Sequence, residues 1–175
     1  MSRYNFNNGT ILFLYTFKTN SAPFIINSKR VLEQFFYPSS IKVEKDQFGK
    51  PFLKNSHYHI SVSHTKDLIV CVLSKNKVGV DAEVNRPISS KTFEFINRLF
   101  SFKYSVKSLQ DWTKIEAFIK VQGLKINHLI KPSIEVRPLE QFYYKQINNF
   151  HNFYVTIASE SPIAHVEYQQ INFSK

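Results

Sequence analysis

Leu68-Ile69-Val70-Cys71-Val72-Leu73-Ser74-Lys75-Asn76-Lys77-Val78-Gly79-Val80-Asp81-Ala82-Glu83-Val84 is the stretch on which the fold turns. Its first six residues are a continuous apolar run, the pattern of a buried strand. Ser74 to Lys77 is a polar turn. Beyond it, Val78, Val80, Ala82 and Val84 alternate with Gly79, Asp81 and Glu83. A strand puts those two sets on opposite faces, so two carboxylates leave the same side. The two runs are expected to form a hairpin, with Asp81 solvent-facing.

Upstream, residues 10–17 mix apolar, aromatic and Thr side chains and read as a strand that ends before Pro23. Asn27 or Ser28 can cap a short helix whose apolar face is Val31, Leu32, Phe35 and Phe36. Tyr37-Pro38-Ser39-Ser40 ends it. Residues 41–44 alternate like a strand, Asp46-Gln47-Phe48-Gly49 reads as a turn, and residues 58–63 alternate again. Downstream, Arg86-Pro87 breaks the sheet. Helical patterning covers residues 90–100 and 111–122, where Gly123 stops it. Strand-like pieces follow at 133–136, 142–147 and 153–158, with a last edge at 166–168. The order of strand, helix, strands, helices and strands is that of an α+β protein with two similar halves.

The chain has 175 residues, enough for one domain or two small subdomains. Lys and Arg number 23 against 13 Asp and Glu, a formal charge of +10. Such a balance favours anionic partners without choosing among them. The lone Cys71 excludes an intrachain disulfide and reads as a small core residue. The N-terminus shows no secretory signal, and no apolar run approaches the length of a membrane span, so a cytoplasmic protein is expected. The 17 Phe and 9 Tyr offer rings that could stack on nucleic acid, but these aromatics recur at core periodicity. Four glycines leave little room for a phosphate-cradling Gly-rich loop.

The polar residues gather in four segments: Phe48-Gly49-Lys50-Pro51, Ser61-Val62-Ser63-His64-Thr65, Val78-Gly79-Val80-Asp81-Ala82-Glu83 and Trp112-Thr113-Lys114-Ile115-Glu116-Ala117-Phe118-Ile119-Lys120. Asp81 and Glu83 with Glu116 on a helix are the carboxylates an Mg2+ site needs when substrate phosphate and water complete its shell. Glu116 and Lys120 are also spaced as an ordinary i, i+4 helix pair. Trp112, Ile115 and Ile119 form a buried stripe, with Glu116 at its edge. His64 and the nearby hydroxyls can donate to phosphate, and Lys50 can meet it as a point charge. His57, His59 and His64 lack a cysteine partner, so zinc is not favoured.

In order and spacing these four segments resemble the motif series of the Sfp-type 4′-phosphopantetheinyl transferases. The specific part of the resemblance runs over residues 41–123. It implies an α+β fold of two pseudo-symmetric subdomains, each a small antiparallel sheet packed with helix. Residues 1–85 would form the first and residues 86–175 the second, which carries the helix over 111–122. It implies a monomer that binds coenzyme A and, with Mg2+, moves its phosphopantetheine arm to a serine of an apo acyl or peptidyl carrier protein, a holo-acyl-carrier-protein synthase activity. Adenosine 3′,5′-bisphosphate is released. The implied metal ligands are Asp81, Glu83 and Glu116. Glu116 is also the candidate base, directly or through a water, and Lys120 stands near the diphosphate. Lys50, Ser63 and His64 would hold the coenzyme A phosphates and nucleotide, with Lys29 or Arg30 at the 3′-phosphate. The carrier protein is expected to be acidic, matching this chain's charge. Nucleic acid and membrane are not expected as partners.

One departure matters most. The family usually has lysine immediately before the helix glutamate, and this chain has Ile115. Lys114 lies about 100° round the helix and cannot simply replace it. A second reading therefore stands beside the first: a weakened family member that binds coenzyme A or a carrier protein without transfer.

Overall fold

The computed structural model describes residues 7, 9–17, 27–37, 39, 41–47, 49–99, 104–129 and 134–173. Phe48 of the first motif, Pro23, Pro38, Ser40, Phe100 and Ser133 lie outside the described residues. In chain order the elements are β1 (Thr10–Phe17), α1 (Ser28–Phe36), β2 (Lys42–Lys45), β3 (Pro51–Lys54), β4 (His59–His64), β5 (Leu68–Ser74), β6 (Val78–Val84), α2 (Ser90–Leu99), α3 (Leu109–Val121), β7 (Tyr143–Gln146), β8 (Phe153–Ser159) and β9 (His165–Gln170). This is the expected α+β class. The strands form a four-stranded sheet in the order β4-β5-β1-β9, a β2-β3 pair, and a three-stranded sheet in the order β6-β8-β7. Every pairing is antiparallel except β1 with β9. Through β9 the end of the chain returns to complete the first sheet.

β5 is buried along its whole length because both its faces are covered. Ile69, Cys71 and Leu73 pack with Val31, Leu32, Phe35 and Phe36 of α1. Leu68, Val70 and Val72 face Val78, Val80, Val155 and Ile157 of the three-stranded sheet. The period-2 alternation of a strand thus feeds two cores from one run of sequence. Burial pushes the Cys71 thiol far above its ordinary range, so it stays a neutral core residue. On the far side of the three-stranded sheet, Ala158 packs with Ile115, Ala117, Phe118 and Val121 of α3. The layers are α1, first sheet, second sheet, α3.

The hairpin expected of β5 and β6 does not form. Both ladder edges of β5 are taken, one by β1 and the other by β4, so β6 has no edge to join. It pairs instead with β8, seventy residues on in the chain's second half. The strand expected over 133–136 is also absent from its described part: residues 134–138 are irregular. There the Arg137 N–H goes to the Gln122 side chain at 2.8 Å rather than to a strand. Conversely, Pro51–Lys54, to which the local pattern assigns no element, is strand β3 paired with β2.

The helices start and stop as their residues direct. Asn27 caps α1 by accepting the Arg30 N–H, and Val31, Leu32, Phe35 and Phe36 are its buried face. Ser108 caps α3 by accepting the Asp111 N–H, and Gly123 ends it at a φ of +74°.

Candidate active site

β6 turns its valine face to the core and its Gly79, Asp81 and Glu83 face to α3. The sheet and helix touch backbone to backbone at Gly79, where a Cβ would stand 2.1 Å from the Ala117 carbonyl oxygen. A second tie joins the helix to β8, where the Thr113 and Thr156 hydroxyls meet at 2.8 Å. These contacts leave Asp81 only 5% exposed. Its solvent-facing placement, expected from the alternation alone, is corrected: α3 covers that face.

Lys120, projecting from the last turn of α3, donates to Asp81 Oδ1 at 2.7 Å. Ser63 of β4 donates to the same oxygen at 2.9 Å and accepts from Lys120 Nζ at 3.3 Å. Asp81 Oδ2 is buried without a hydrogen-bond partner among the described residues. Burial, then the Asp81 carboxylate, then Glu83 push the Glu116 carboxyl up to about 7, against the pull of Lys120. Burial and Asp81 raise Glu83 as well, while Arg86, Lys120 and a hydrogen bond with Trp112 oppose the shift. The three carboxylates are thus near enough to repel one another, with the Lys120 ammonium in direct contact with Asp81.

The other expected site residues are more scattered. Lys50 reaches the C-terminal end of α3, where its ammonium donates to the Lys120 carbonyl at 3.3 Å, and burial lowers its pKa. It lines a cavity of about 530 Å³ with His57, His59, Lys77, Gln122 and Gly123. Asp81, Glu83 and Glu116 do not line that cavity; Lys50 bridges the two regions through the Lys120 backbone. His64 is exposed at the end of β4. Lys29 is exposed on α1 and pairs with Glu33 at 3.5 Å, and Arg30 is exposed beside it. Ile115 is 4% exposed and packed in the α3 core, as the stripe predicted. Lys114 lies over the Tyr144 ring at 4.7 Å, away from the carboxylates.

Reading the motifs missed two features. Ser61 and Ser63, two apart on β4, send both hydroxyls toward β6. Their spacing signals a shared face, but nothing in it names the strand they meet. The direct Lys120–Asp81 ion pair was likewise hidden, because 39 residues separate its partners.

Two observations favour a divalent cation here: an orphaned, buried Asp81 oxygen, and neighbouring carboxyls held toward the protonated state first by burial and then by mutual repulsion. Asp81, Glu83 and Glu116 are the donors suited to it. As the side chains stand, no group of three or more His, Cys, Asp or Glu among the described residues is placed so as to hold a metal ion. No described helix is long and apolar enough to cross a membrane.

No protein-family model matches the chain. Two characterised proteins do. The chain is 29% identical over 98 residues to 4′-phosphopantetheinyl transferase Sfp of Bacillus subtilis strain 168, covering 49% of this chain and 42% of that protein. It is 28% identical over 93 residues to 4′-phosphopantetheinyl transferase gsp of Aneurinibacillus migulanus, covering 48% of this chain and 39% of that one. The matches therefore span less than half of either relative's length. Over about half of its own length, this chain is similar to 4′-phosphopantetheinyl transferases of the Sfp type.

Proposed function

We propose that the protein transfers the 4′-phosphopantetheine arm of coenzyme A to a serine of an acidic acyl or peptidyl carrier protein. The observation that carries this reading is the convergence of Asp81, Glu83, Glu116 and Lys120 between β6 and α3. Asp81, Glu83 and Glu116 would hold Mg2+, which when bound neutralises charge on the diphosphate. Lys120 stays beside it to meet phosphate oxygens as a point charge. Glu116, poised near pH 7, takes the serine proton directly or through a water. The serine Oγ–P bond forms, the bridging P–O bond of the diphosphate breaks, and adenosine 3′,5′-bisphosphate leaves with the electron pair.

The nucleotide end of coenzyme A would lie along the cavity of Lys50, His57, His59 and Lys77, a basic surface beside the reacting centre. His64, and Lys29 or Arg30, are the further phosphate contacts in this reading. Residues 1–85 bring Asp81 and Glu83, residues 86–175 bring Glu116 and Lys120, and the reaction takes place where the two halves meet. The protein would act as a cytoplasmic monomer, with fatty acid, polyketide or nonribosomal peptide carriers as its partner class.

A second reading, binding of coenzyme A or carrier protein without transfer, is favoured by the buried Ile115 where the family has lysine. One experiment decides between them: the protein is incubated with coenzyme A, Mg2+ and a panel of apo carrier proteins, and the carriers are weighed intact. Transfer adds about 340 Da, the mass of the phosphate-linked arm. Unchanged carrier masses beside a working control transferase would refute the first reading. Coenzyme A binding without a mass change would support the second.

A further inference from the structure

The two walls of the carboxylate site are held in different ways. β6, which carries Asp81 and Glu83, is stitched to β4 by two serines: the Ser61 and Ser63 hydroxyls accept the Val80 and Ala82 N–H groups at 3.1 and 3.2 Å. α3, which carries Glu116, rests on β6 through the backbone contact of Gly79 with Ala117. That contact sets the distance between helix and strand, but no side chain interlocks there to fix how far the helix is turned about its axis. Lys120 reaches Asp81 on a flexible four-carbon stem, so it follows the helix rather than setting it. Apolar packing around α3 is non-directional.

A directional contact lies one turn before Ala117. Thr113 of α3 and Thr156 of β8 are fully buried, and their hydroxyls meet at 2.8 Å. Thr113 also donates to the Gln110 carbonyl at 3.0 Å, and a hydroxyl has one hydrogen, so Thr156 is the donor between the two. Thr156 stands directly across from Asp81 in the β6–β8 register. Thr113 is three residues before Glu116, on the same helix face. Side-chain tips stand roughly 5–6 Å from a helix axis, so turning α3 by about 10° would carry the Glu116 carboxyl about 1 Å. A misplacement of that size can cost about 100-fold in rate.

We propose that Thr156 is a positioning residue: its hydroxyl, bonded to Thr113, fixes the turn of α3 about its axis and so the place of the Glu116 carboxyl opposite β6. The inference rests on Glu116 being the base in the reaction proposed above.

The test centres on Thr156→Val, which keeps the shape and removes the hydroxyl. Thr113 keeps its bond to the Gln110 carbonyl, so no donor is stranded and the variant should fold. Trp112, the chain's only tryptophan, precedes Thr113 and hydrogen-bonds the Glu83 carboxyl. Its fluorescence therefore reports the turn of α3 against β6 with no transfer taking place. Transfer is measured with coenzyme A, Mg2+ and an apo carrier protein, and Trp112 emission on the protein alone. In Thr156→Val, kcat should fall by about tenfold or more. KM for coenzyme A should stay within about threefold, as when a contact that matters only in the transition state is lost. Trp112 emission should shift. Thr156→Ser, which keeps the hydroxyl, should restore kcat to within about threefold, together with the wild-type emission. Ile171→Val, in the core beneath α1, controls for lowered stability: its melting temperature should fall with kcat and emission unchanged. Should Thr156→Val not fold, Thr113→Ala breaks the same pair from the helix side and gives the same comparison.

Three results would overturn the proposal while leaving the functional reading intact: Thr156→Val with wild-type kcat, a fall in kcat with Trp112 emission unchanged, or an equal fall in the Ile171→Val control. Wild-type protein that transfers nothing to any carrier would overturn the functional reading and this proposal together.

Discussion

Gly79 of β6 and Ala117 of α3 are in backbone contact: a methyl on Gly79 would stand 2.1 Å from the Ala117 carbonyl oxygen and 2.6 Å from the Val121 nitrogen. Neither is the end of a flexible side chain, so neither can move aside. This close approach lets the short Asp81 side chain meet Lys120 one turn away. Gly79 is therefore required for spacing rather than for an unusual backbone angle.

Gly79→Ala should push α3 off β6. The expected loss is about 3 kcal/mol or more, at or above the upper range for overpacking because the obstacle is backbone. Denaturant midpoints measure it. An alanine variant as stable as the wild type would refute the contact.

Asp81→Asn should lower turnover by more than about 100-fold, since it weakens the ligand for Mg2+. It should also destabilise the fold by about 1–3 kcal/mol, because the carboxylate is buried and its loss leaves the Lys120 ammonium half-buried and poorly partnered. A second change, Lys120→Met, should return part of that stability in the Asp81→Asn background. A double-mutant cycle with no coupling would show that the pair contributes nothing.

Stability without Mg2+ should fall with pH across the neutral range. Glu116 titrates near 7 in the folded chain against an ordinary value of 4.5, so between those values the folded chain binds more protons than the unfolded one. Its contribution is complete below about 4.5 and is lost as pH rises through about 7. Glu83, raised for the same reasons, acts in the same direction. For one proton the slope cannot exceed about 1.4 kcal/mol per pH unit. Urea denaturation with chelator at pH 5, 6, 7 and 8 measures it, and Glu116→Gln should flatten the slope. Equal slopes in both proteins would show that Glu116 is not the group responsible.

Glu116→Gln should also abolish transfer at every pH, while coenzyme A still binds through Lys50 and the basic cavity. Turnover that survives in this variant would remove Glu116 from both of its proposed roles.

Ile115→Lys should not raise activity. Ile115 is packed against the α3 core, so an ammonium there should cost about 2–4 kcal/mol, less whatever its stem recovers by reaching outward. Higher turnover at an undiminished melting temperature would instead show that the missing lysine cripples the site.

Local pattern was enough to read the strands and helices whose signals are local. The alternation at Val78–Val84, the continuous apolar run of β5, the Asn27 cap and the Gly123 stop each act within a few residues. So did the motifs that brought Asp81, Glu83, Glu116 and Lys120 forward together. Tertiary structure alone decided what those elements meet. β6 left its neighbour β5 for β8 because ladder edges are a shared resource, and which edges are already taken is not written in either strand. The burial of Asp81, the Lys120 ion pair and the two serine stitches depend on contacts between residues 18 to 39 positions apart. Sequence determined which faces carry carboxylates and hydroxyls, because side-chain direction follows the backbone period. Packing decided which of those faces are closed to water, because burial is a property of two surfaces and a strand encodes only its own.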